Sequence, residues 1–423
     1  MRLAHLAVLS ALAWPTLAAA EDGPKPFAIK PGDRVVFYGD SITDQRLYTT
    51  FAETFVVTRF PKSDVSFIHS GWGGDRVGGG LGGPIDLRLN RDVVAYKPTV
   101  VTVMLGMNDA SYQQFRDEIF NTYAKGYEHI VEKLKADLPG VRLTLIRPSP
   151  FDDVTREPKF EGGYNQVLVR YGDFVAKLAE KEGAGVADLN APVVEATKKA
   201  FASDPKGAEK LNPDRVHPGL GGQLLMAAAL LKAWNAPAVV STVTIEAKPG
   251  APADVQANNT VVTDLAAEGD GLRWTQKDEA LPFPIDLKDP ATALAVQSSD
   301  IVEALDRQIV QVKGWDGAKE YTLSIDGAPV GTFTGAALAQ GVNLATLPTP
   351  MARQAADVHN LTLRHSALHN LRWRQVEVPN QDIKDPRLGE ALRGLDRLES
   401  AIVDDQRAAA QPRPHTFTLK PKG

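Results

Sequence analysis

Ser41 occupies a position suited to a nucleophile. It follows residues 35–38, a short apolar run that predicts a buried strand, through the turn-forming pair Gly39-Asp40. The residues after Ser41 can enter a helix, so the serine lies at the carboxyl end of a strand, where ligands bind in open α/β sheets. Helix amides at that point favour a developing anion, although Ser41 also fits the simpler role of a helix N-cap.

Asp214 and His217 supply the groups that a serine nucleophile requires. They are three residues apart in a proline-flanked segment, a spacing that lets the carboxylate reach one imidazole nitrogen. The other nitrogen can then remove the proton of a serine hydroxyl, which is a weak nucleophile without a base. Gly74 and Asn108 offer a backbone N–H and a side-chain amide that could hold a tetrahedral oxyanion together with the N–H of Ser41.

These groups must be brought together by the fold, and residues 21–236 show a suitable pattern. Apolar strand-like runs alternate with helix-like runs, which is typical of a parallel sheet covered by helices on both faces. Right-handed crossovers place the carboxyl end of every strand on one edge, where the loops carrying Ser41, Gly74 and Asn108 should gather. The predicted strands are 35–38, 65–69, 100–105, 143–146 and 186–189, and the predicted helices are 47–60, 89–96, 115–138, 164–182 and 220–234.

Four motifs in this region resemble the signature blocks of SGNH hydrolases, the GDSL-type lipases and esterases. In family order they are Gly39-Asp40-Ser41, the loop glycine Gly74, Gly106-Met107-Asn108-Asp109 and Asp214-Arg215-Val216-His217. Ile42 replaces the leucine that gives the family its name, and His69 stands where many relatives carry asparagine. The resemblance covers about residues 30–236. It implies a three-layer α/β/α fold with a flavodoxin-like parallel sheet, and ester hydrolysis through an acyl-enzyme on Ser41 without a metal or cofactor.

The rest of the chain has a different composition. Residues 237–350 are rich in valine, threonine and glycine and contain a hairpin signal at Asp326-Gly327, so we predict a small β-rich accessory domain. Residues 351–423 have leucines at helical spacing and then an extended tail, which predicts a C-terminal helical region. The expected fold class is therefore α/β, with a catalytic domain over residues 21–236, the β-rich domain and this helical region.

Composition restricts the location and the partners. The formal net charge is -5 and no run of lysine or arginine occurs, which argues against nucleic acid as a partner.

Residues 1–20 predict a signal peptide, with Arg2 before an apolar stretch and a small-residue cleavage site. We therefore expect export to a periplasm or the extracellular space without stable membrane insertion. The absence of cysteine excludes disulfides and a thiol nucleophile. The sequence leaves the oligomeric state open.

Several histidines need a separate interpretation. His69 could be a second base or a polar strand-end residue that holds a loop, and we favour the second role. His365 and His369 are spaced i, i+4, which suits a pair of metal ligands, but within that helical stretch the sequence offers little beyond Asp357 as an acidic partner. We therefore predict no metal site there.

The substrate is expected to be an O-acetyl group on a polysaccharide or oligosaccharide. This expectation rests on the predicted export, the β-rich region and the few apolar residues in the rim loops. Trp72, Tyr112 and Tyr164 near the predicted rim could stack on sugar faces, or they could belong to the core. The alternatives are a lysophospholipase or thioesterase-type acyl hydrolase, and a non-catalytic carbohydrate-binding protein in which residues 237–350 bind the ligand.

Overall fold

A five-stranded parallel sheet forms the centre of the first half of the chain in the computed structural model, which describes residues 25–247 and 254–422. In chain order the elements are β1 (Arg34–Gly39), α1 (Ser41–Asp44), α2 (Leu47–Arg59), β2 (Ser66–Gly71), β3 (Gly79–Gly80), β4 (Gly83–Pro84), α3 (Ile85–Asp92), β5 (Val100–Met104), α4 (Asp117–Asp137), β6 (Arg142–Arg147), α5 (Gly163–Glu182), β7 (Gly185–Asp188), α6 (Ala191–Ser203), α7 (Pro205–Ala208) and α8 (Leu220–Ala233). The strand order is β2-β1-β5-β6-β7. Helices flank this sheet, and the predicted α/β fold class is confirmed.

The sheet order determines which helices share a layer. The chain crosses from β1 outward to β2 and then returns past β1 to β5, β6 and β7. With right-handed crossovers this reversal puts α2 and α8 on one face and α3, α4 and α5 on the other. The contacts agree, because α2 packs against α8 while α3 contacts α4 and α4 contacts α5.

Most predicted elements are present within a few residues, with three differences. The helix predicted at 89–96 begins earlier, at Ile85, and Val94–Tyr96 forms a separate 3-10 turn. The short helices α6 and α7 were not predicted, and neither was the β3–β4 hairpin in the glycine-rich loop. Helix α7 has four residues and each strand of the hairpin has two, which is too short for a periodic pattern to show in the sequence. Helix α6 has 13 residues and lies in a stretch for which the sequence analysis predicts no element.

Two further sheets occupy the second half of the chain. Its elements are β8 (Val239–Glu246), β9 (Asp254–Asn258), β10 (Thr260–Glu268), β11 (Gly271–Asp278), α9 (Pro290–Gln297), α10 (Ile301–Leu305), β12 (Arg307–Lys313), β13 (Glu320–Ile325), β14 (Ala328–Thr334), α11 (Gly335–Gln340), β15 (Val342–Asn343), α12 (Pro350–Asn370), α13 (Pro386–Ala409) and β16 (His415–Pro421). The sheet orders are β10-β11-β16-β13-β14 and β15-β12-β8-β9. Asp326 and Gly327 form the predicted turn between β13 and β14, both with positive φ.

The C-terminal tail does not stay separate from the β-rich region. β16 lies in the middle of one sheet, paired with β11 on one side and β13 on the other. A boundary at residue 350 therefore does not divide the chain into two independent bodies, because the last strand completes a sheet that the preceding region begins. Because the partners of β16 are distant in the sequence, no local pattern around residues 415–421 indicates which strands it joins.

The predicted signal peptide, residues 1–20, lies outside the described residues. Within those residues, no helix is both long and apolar enough to cross a bilayer.

Helix α2 is buried on nearly all sides. The sequence predicts an amphipathic helix here, yet polar residues such as Thr49, Glu53 and Thr54 are also inaccessible to solvent. α8 covers one side of α2, and α12 from the C-terminal region covers another. The polar face of α2 is thus the surface on which the C-terminal helices dock.

A chain of charged hydrogen bonds crosses this docking surface. Glu53 accepts from His69 Nε2 at 2.8 Å and from His365 Nδ1 at 3.0 Å. His365 Nε2 and His369 Nδ1 each lie 3.2 Å from Glu399 Oε1 on α13. Buried charges are tolerated when they are paired in this way. The predicted structural role of His69 thus agrees with its contacts, which include Thr49 Oγ1 at 2.8 Å from Nδ1.

Three pKa shifts show which groups carry charge. Burial by itself would lower the pKa of His365, but the Glu53 and Glu399 carboxylates outweigh it and raise this pKa to about 10. Burial would raise the pKa of Glu399, but hydrogen bonds from His365 and His369 outweigh it and lower this pKa to about 2. By contrast, burial lowers the pKa of His69, which therefore stays neutral between Thr49 and Glu53.

We predict a pH-dependent loss of stability for His365→Gln. The imidazolium contributes fully below pH 6.5, its ordinary pKa, and this contribution is lost as the pH rises through about 10. The variant should unfold about 5–10 °C below the wild type at pH 6, and the difference should shrink towards pH 10. Calorimetry of both proteins between pH 6 and pH 10 measures this difference. A gap that stays constant with pH would show that His365 acts only through packing.

Two glycines allow the ends of β1 and β2 to meet helix α1. A Cβ atom on Gly39 would lie 2.2 Å from Thr43 Oγ1 and 2.7 Å from the carbonyl oxygen of Met104. A Cβ atom on Gly71 would lie 2.2 Å from the backbone nitrogen of Asp44. Contacts this short with backbone atoms force a shift of the chain. Glycine at these strand ends therefore sets where the residues of α1 are held.

The substitution Gly71→Ala is predicted to destabilise the fold by about 1–3 kcal/mol, because the new methyl group overlaps the backbone of α1. Gly78→Ala is the matched control, since a Cβ atom there meets nothing within 4 Å. Thermal unfolding should show a lower Tm for the first variant and a Tm within about 1 °C of wild type for the second. Equal Tm values for the two variants would contradict this explanation.

Candidate active site

The three loops predicted to gather do lie at one edge of the sheet. Gly39 at the end of β1 pairs with Gly71 of β2 on one side and with Met104 of β5 on the other. The N–H of Trp72 donates to the Gly39 carbonyl at 2.9 Å, which fixes the loop after β2 against the end of β1. Ser41 follows β1, so it starts α1 at the centre of this edge.

Ser41, His217 and Asp214 form one row of hydrogen bonds. Ser41 Oγ lies 2.8 Å from His217 Nε2, and His217 Nδ1 lies 2.7 Å from Asp214 Oδ2. The other carboxylate oxygen, Oδ1, accepts the backbone N–H groups of Val216 at 2.9 Å and His217 at 2.7 Å. The spacing of three residues thus folds the carboxylate back onto both the backbone and the ring of the histidine. The row has the geometry in which a base can remove the serine proton.

The helix cap at this position is Asp40 and not Ser41. The Asp40 side chain accepts the N–H of Ile42 at 3.0 Å, which leaves the Ser41 hydroxyl for His217. Burial raises the pKa of Asp40 to about 7. Helix α1 is only one turn long, so its macrodipole adds less at Ser41 than the sequence pattern suggested.

The charge of Asp214 is maintained by its hydrogen bonds. Partial burial would raise its pKa, but the backbone N–H and the imidazole of His217 outweigh burial and lower this pKa below 3.8. The carboxylate is therefore ionised at neutral pH and can orient the imidazole. The side chains of Asp214 and His217 are 57% and 36% exposed, so the row lies at an open surface.

Arginines hold the loop that carries Asp214 and His217. Arg215 has a left-handed φ of 75° and donates through Nε to the carbonyl of Asp152 at 2.9 Å and through Nη2 to Asp153 Oδ1 at 2.7 Å. Arg156 donates to the carbonyl oxygens of Asn212 and Pro213 at 3.0 and 2.7 Å. These bonds join the histidine loop to the loop after β6.

A pair of glutamines ties the serine side of the site to the histidine side. Gln223 on α8 donates to Gln45 Oε1 at 2.7 Å and accepts the N–H of Tyr48 at 3.0 Å. Gln45 in turn lies 3.4 Å from the carbonyl of Pro218, next to His217. The contacts of Gln45, Gln223 and both arginines could not be found from the sequence, because single polar residues far apart in the chain show no pattern until the fold joins them.

Gly74 and Asn108 lie on adjacent loops of the same edge. Gly74 has a φ of 78°, a left-handed conformation that glycine adopts most readily. The Asn108 side chain donates through Nδ2 to the carbonyl of Asp75 at 3.0 Å, and its Oδ1 accepts from the Tyr112 hydroxyl at 3.0 Å. Asp109 accepts the N–H of Val77 at 2.9 Å and so joins the loop after β5 to the loop after β2. These bonds fix the orientation of the Asn108 amide.

The three aromatic residues near the rim have different environments. Trp72 and Tyr164 are buried, and the Tyr164 hydroxyl donates to the carbonyl of Met107 at 2.6 Å. Tyr112 is 40% exposed and packs on Tyr164 at a ring distance of 5.0 Å. Of the three, Tyr112 is therefore the ring that a ligand at the surface can reach.

The glycine-rich loop forms a small hairpin, β3–β4, with the exposed Leu81 at its tip. A Cβ atom on Gly82 would lie 2.6 Å from Trp72 and from Arg88, so this glycine permits the hairpin to lie directly on both side chains. The hairpin is thus packed against the loop that carries Gly74.

In residues 25–247 and 254–422, no group of three or more histidine, aspartate or glutamate side chains is arranged to hold a metal ion.

Comparison with known proteins agrees with this geometry. Residues 37–225 match the model of the GDSL-like lipase/acylhydrolase family, and this segment contains all five predicted site residues. An acetylxylan esterase of Geobacillus stearothermophilus is 25% identical over 222 residues, which cover 48% of this chain and 94% of that protein.

A solved structure shares nearly the whole architecture. The structure of a gut microbial diltiazem-metabolizing enzyme superposes with a TM-score of 0.77 at 24% identity, covering 93% of this chain and 98% of that one. The likeness shows that the β-rich and C-terminal helical parts belong to a shared fold. Residues 37–225, with their motifs and their sheet, thus match the GDSL-like lipase/acylhydrolase family, the SGNH hydrolases, and this match supports a carboxylic ester hydrolase.

Proposed function

We propose that the chain hydrolyses acetate esters of a polysaccharide or oligosaccharide through an acyl-enzyme on Ser41. The observation that carries the mechanism is the hydrogen-bonded row from Ser41 Oγ through His217 to Asp214, with distances of 2.8 and 2.7 Å. A serine, an imidazole base and an ionised orienting carboxylate in this order are what nucleophilic acyl transfer requires.

The reaction proceeds in two halves. Ser41 Oγ bonds to the ester carbonyl carbon while His217 Nε2 takes the hydroxyl proton, and the tetrahedral intermediate then expels the alcohol, which leaves with that proton. Water next attacks the acyl-enzyme and gives its proton to His217. Collapse of the second intermediate releases the carboxylic acid and returns the proton to Ser41. Asp214 orients the imidazole and stabilises its charged form.

The negative oxygen of each intermediate is held by three donors in this mechanism. They are the N–H groups of Ser41 and Gly74 and the Asn108 amide, whose other contacts fix it beside the same loop. One such donor is typically worth about 3 kcal/mol in the transition state.

The substrate assignment rests on three observations. The similar protein from Geobacillus stearothermophilus is an acetylxylan esterase. The Asp214 and His217 side chains are open to solvent, which suits an ester on a bulky polymer. Tyr112 offers an exposed aromatic face next to Asn108, on which a sugar ring can stack. Export through residues 1–20 is part of the proposal, since plant polysaccharides are met outside the cell.

Ser41→Ala is expected to fold normally and to lose at least about 1,000-fold in kcat on p-nitrophenyl acetate, because no other group replaces the nucleophile. Ser400→Ala is the matched control, since it removes a hydroxyl from α13 that donates only to the backbone of its own helix. Wild-type turnover in the Ser41 variant would eliminate the mechanism.

The substrate class is tested by acetate release from acetylated xylan and by a series of p-nitrophenyl esters. We expect acetate from the polymer, lost in Ser41→Ala, and a higher kcat/KM for acetyl than for octanoyl esters. Preference for the octanoyl ester would favour a lysophospholipase or thioesterase. Binding of xylan without any acetate release would favour a carbohydrate-binding protein.

A further inference from the structure

A buried arginine joins the loop that carries Gly74 to helix α3. Arg88 Nε donates to Asp75 Oδ2 at 2.7 Å, Nη2 donates to the Ser70 carbonyl at 3.1 Å, and Nη1 contacts Asp92. Arg88, Asp75 and Asp92 are completely buried. Replacing such a charge cluster by apolar residues often costs no stability, so the cluster requires a reason other than stability.

Asp75 lies between two of the three proposed oxyanion donors, Gly74 and Asn108. It directly follows Gly74, and its backbone carbonyl accepts the amide of Asn108 at 3.0 Å. Its own N–H donates to the Trp72 carbonyl at 3.1 Å, which closes a turn around Gly73-Gly74. The ion pair with Arg88 therefore holds the peptide segment from which one donor comes and against which the other is oriented.

The C-terminal region supplies the last member of this chain of contacts. The Trp373 indole Nε1 donates to Asp92 Oδ1 at 2.6 Å, although the two residues are 281 positions apart. Trp373 is 1% exposed and belongs to a π-helical segment, Leu371–Glu377. Such segments are rare and are often found at functional sites.

The same π-helical segment also contacts Trp72, two residues before Gly74. The Trp373 ring meets the Trp72 ring edge-on with centroids 5.6 Å apart. The Arg374 guanidinium lies 3.1 Å from the centroid of the Trp72 ring. Two routes thus connect this segment to the loop, one through Asp92 and Arg88 and one through Trp72.

We propose that Trp373 is a positioning residue for ester hydrolysis, acting through Asp92, Arg88 and Asp75 on the loop that carries Gly74. It lies on the C-terminal region and is not a catalytic residue, because it acts through other groups. The inference rests on the proposed function. In this view the C-terminal helices complete the active site, since a displacement of about 1 Å at a transition-state contact can cost about 100-fold in rate.

Trp373→Phe tests the inference, because it keeps an aromatic ring and removes the indole N–H. Trp274→Phe is the matched control: Trp274 is also buried, and its indole donates to Gln276 at 3.2 Å inside the β-rich sheet. We expect Trp373→Phe to lower kcat on p-nitrophenyl acetate about 10- to 100-fold with KM within about threefold. Its affinity for a boronic acid, which forms a tetrahedral adduct with serine, should fall in parallel. Trp274→Phe should change none of these values by more than about twofold.

Asp92→Asn is the second variant, for the case that Trp373→Phe does not fold. It preserves volume and an acceptor for Trp373 but removes the charge that faces Arg88, so kcat should again fall while KM stays constant. Unchanged kcat in the folded variants, or equal losses in the Trp373 and Trp274 variants, would overturn the inference and leave the esterase function intact. A wild type without Ser41-dependent turnover would instead refute the proposed function.

Discussion

The contact between Ser41 Oγ and His217 Nε2 joins two residues that are 176 positions apart, and the surrounding structure serves to maintain it. The serine side depends on close backbone contact at the strand ends, which Gly39 and Gly71 permit. The histidine side depends on a loop that the side chains of Arg156 and Arg215 join to the loop after β6. A proton can move between the two groups only if both sides keep these atoms within hydrogen-bonding distance, about 2.6–3.2 Å.

Two buried charge clusters connect the C-terminal helices to the parallel sheet. One is centred on Glu53, which lies on the buried polar face of α2. It accepts hydrogen bonds from His365 on α12 and from Gln406 on α13. The other is centred on Arg88 and reaches the loop of Gly74 from Trp373. Charged contacts impose a direction that apolar packing does not. The C-terminal region is therefore held in one orientation relative to the catalytic edge.

The central sheet and the hydrogen-bonded row could be predicted from the sequence, because both leave local signals. Apolar strands of four to six residues mark the sheet, and Ser41, Asp214 and His217 lie in short motifs at the strand end or the final loop. The environment of α2 and the place of β16 could not be predicted. Both depend on partners hundreds of residues away, such as His365 for Glu53, and a residue pair of this kind has no periodicity to detect. The same holds for Arg88 and Trp373.

The central claim is that His217 activates Ser41 as the nucleophile, and active-site labelling tests it most directly. The protein is treated with a fluorophosphonate, and the labelled residue and the labelling rate are determined by mass spectrometry. We expect a single adduct on the peptide that carries Ser41, with a rate at least about 100-fold lower in His217→Ala, because the base is then missing. An adduct on a different residue, or an equal rate in the variant, would contradict the claim.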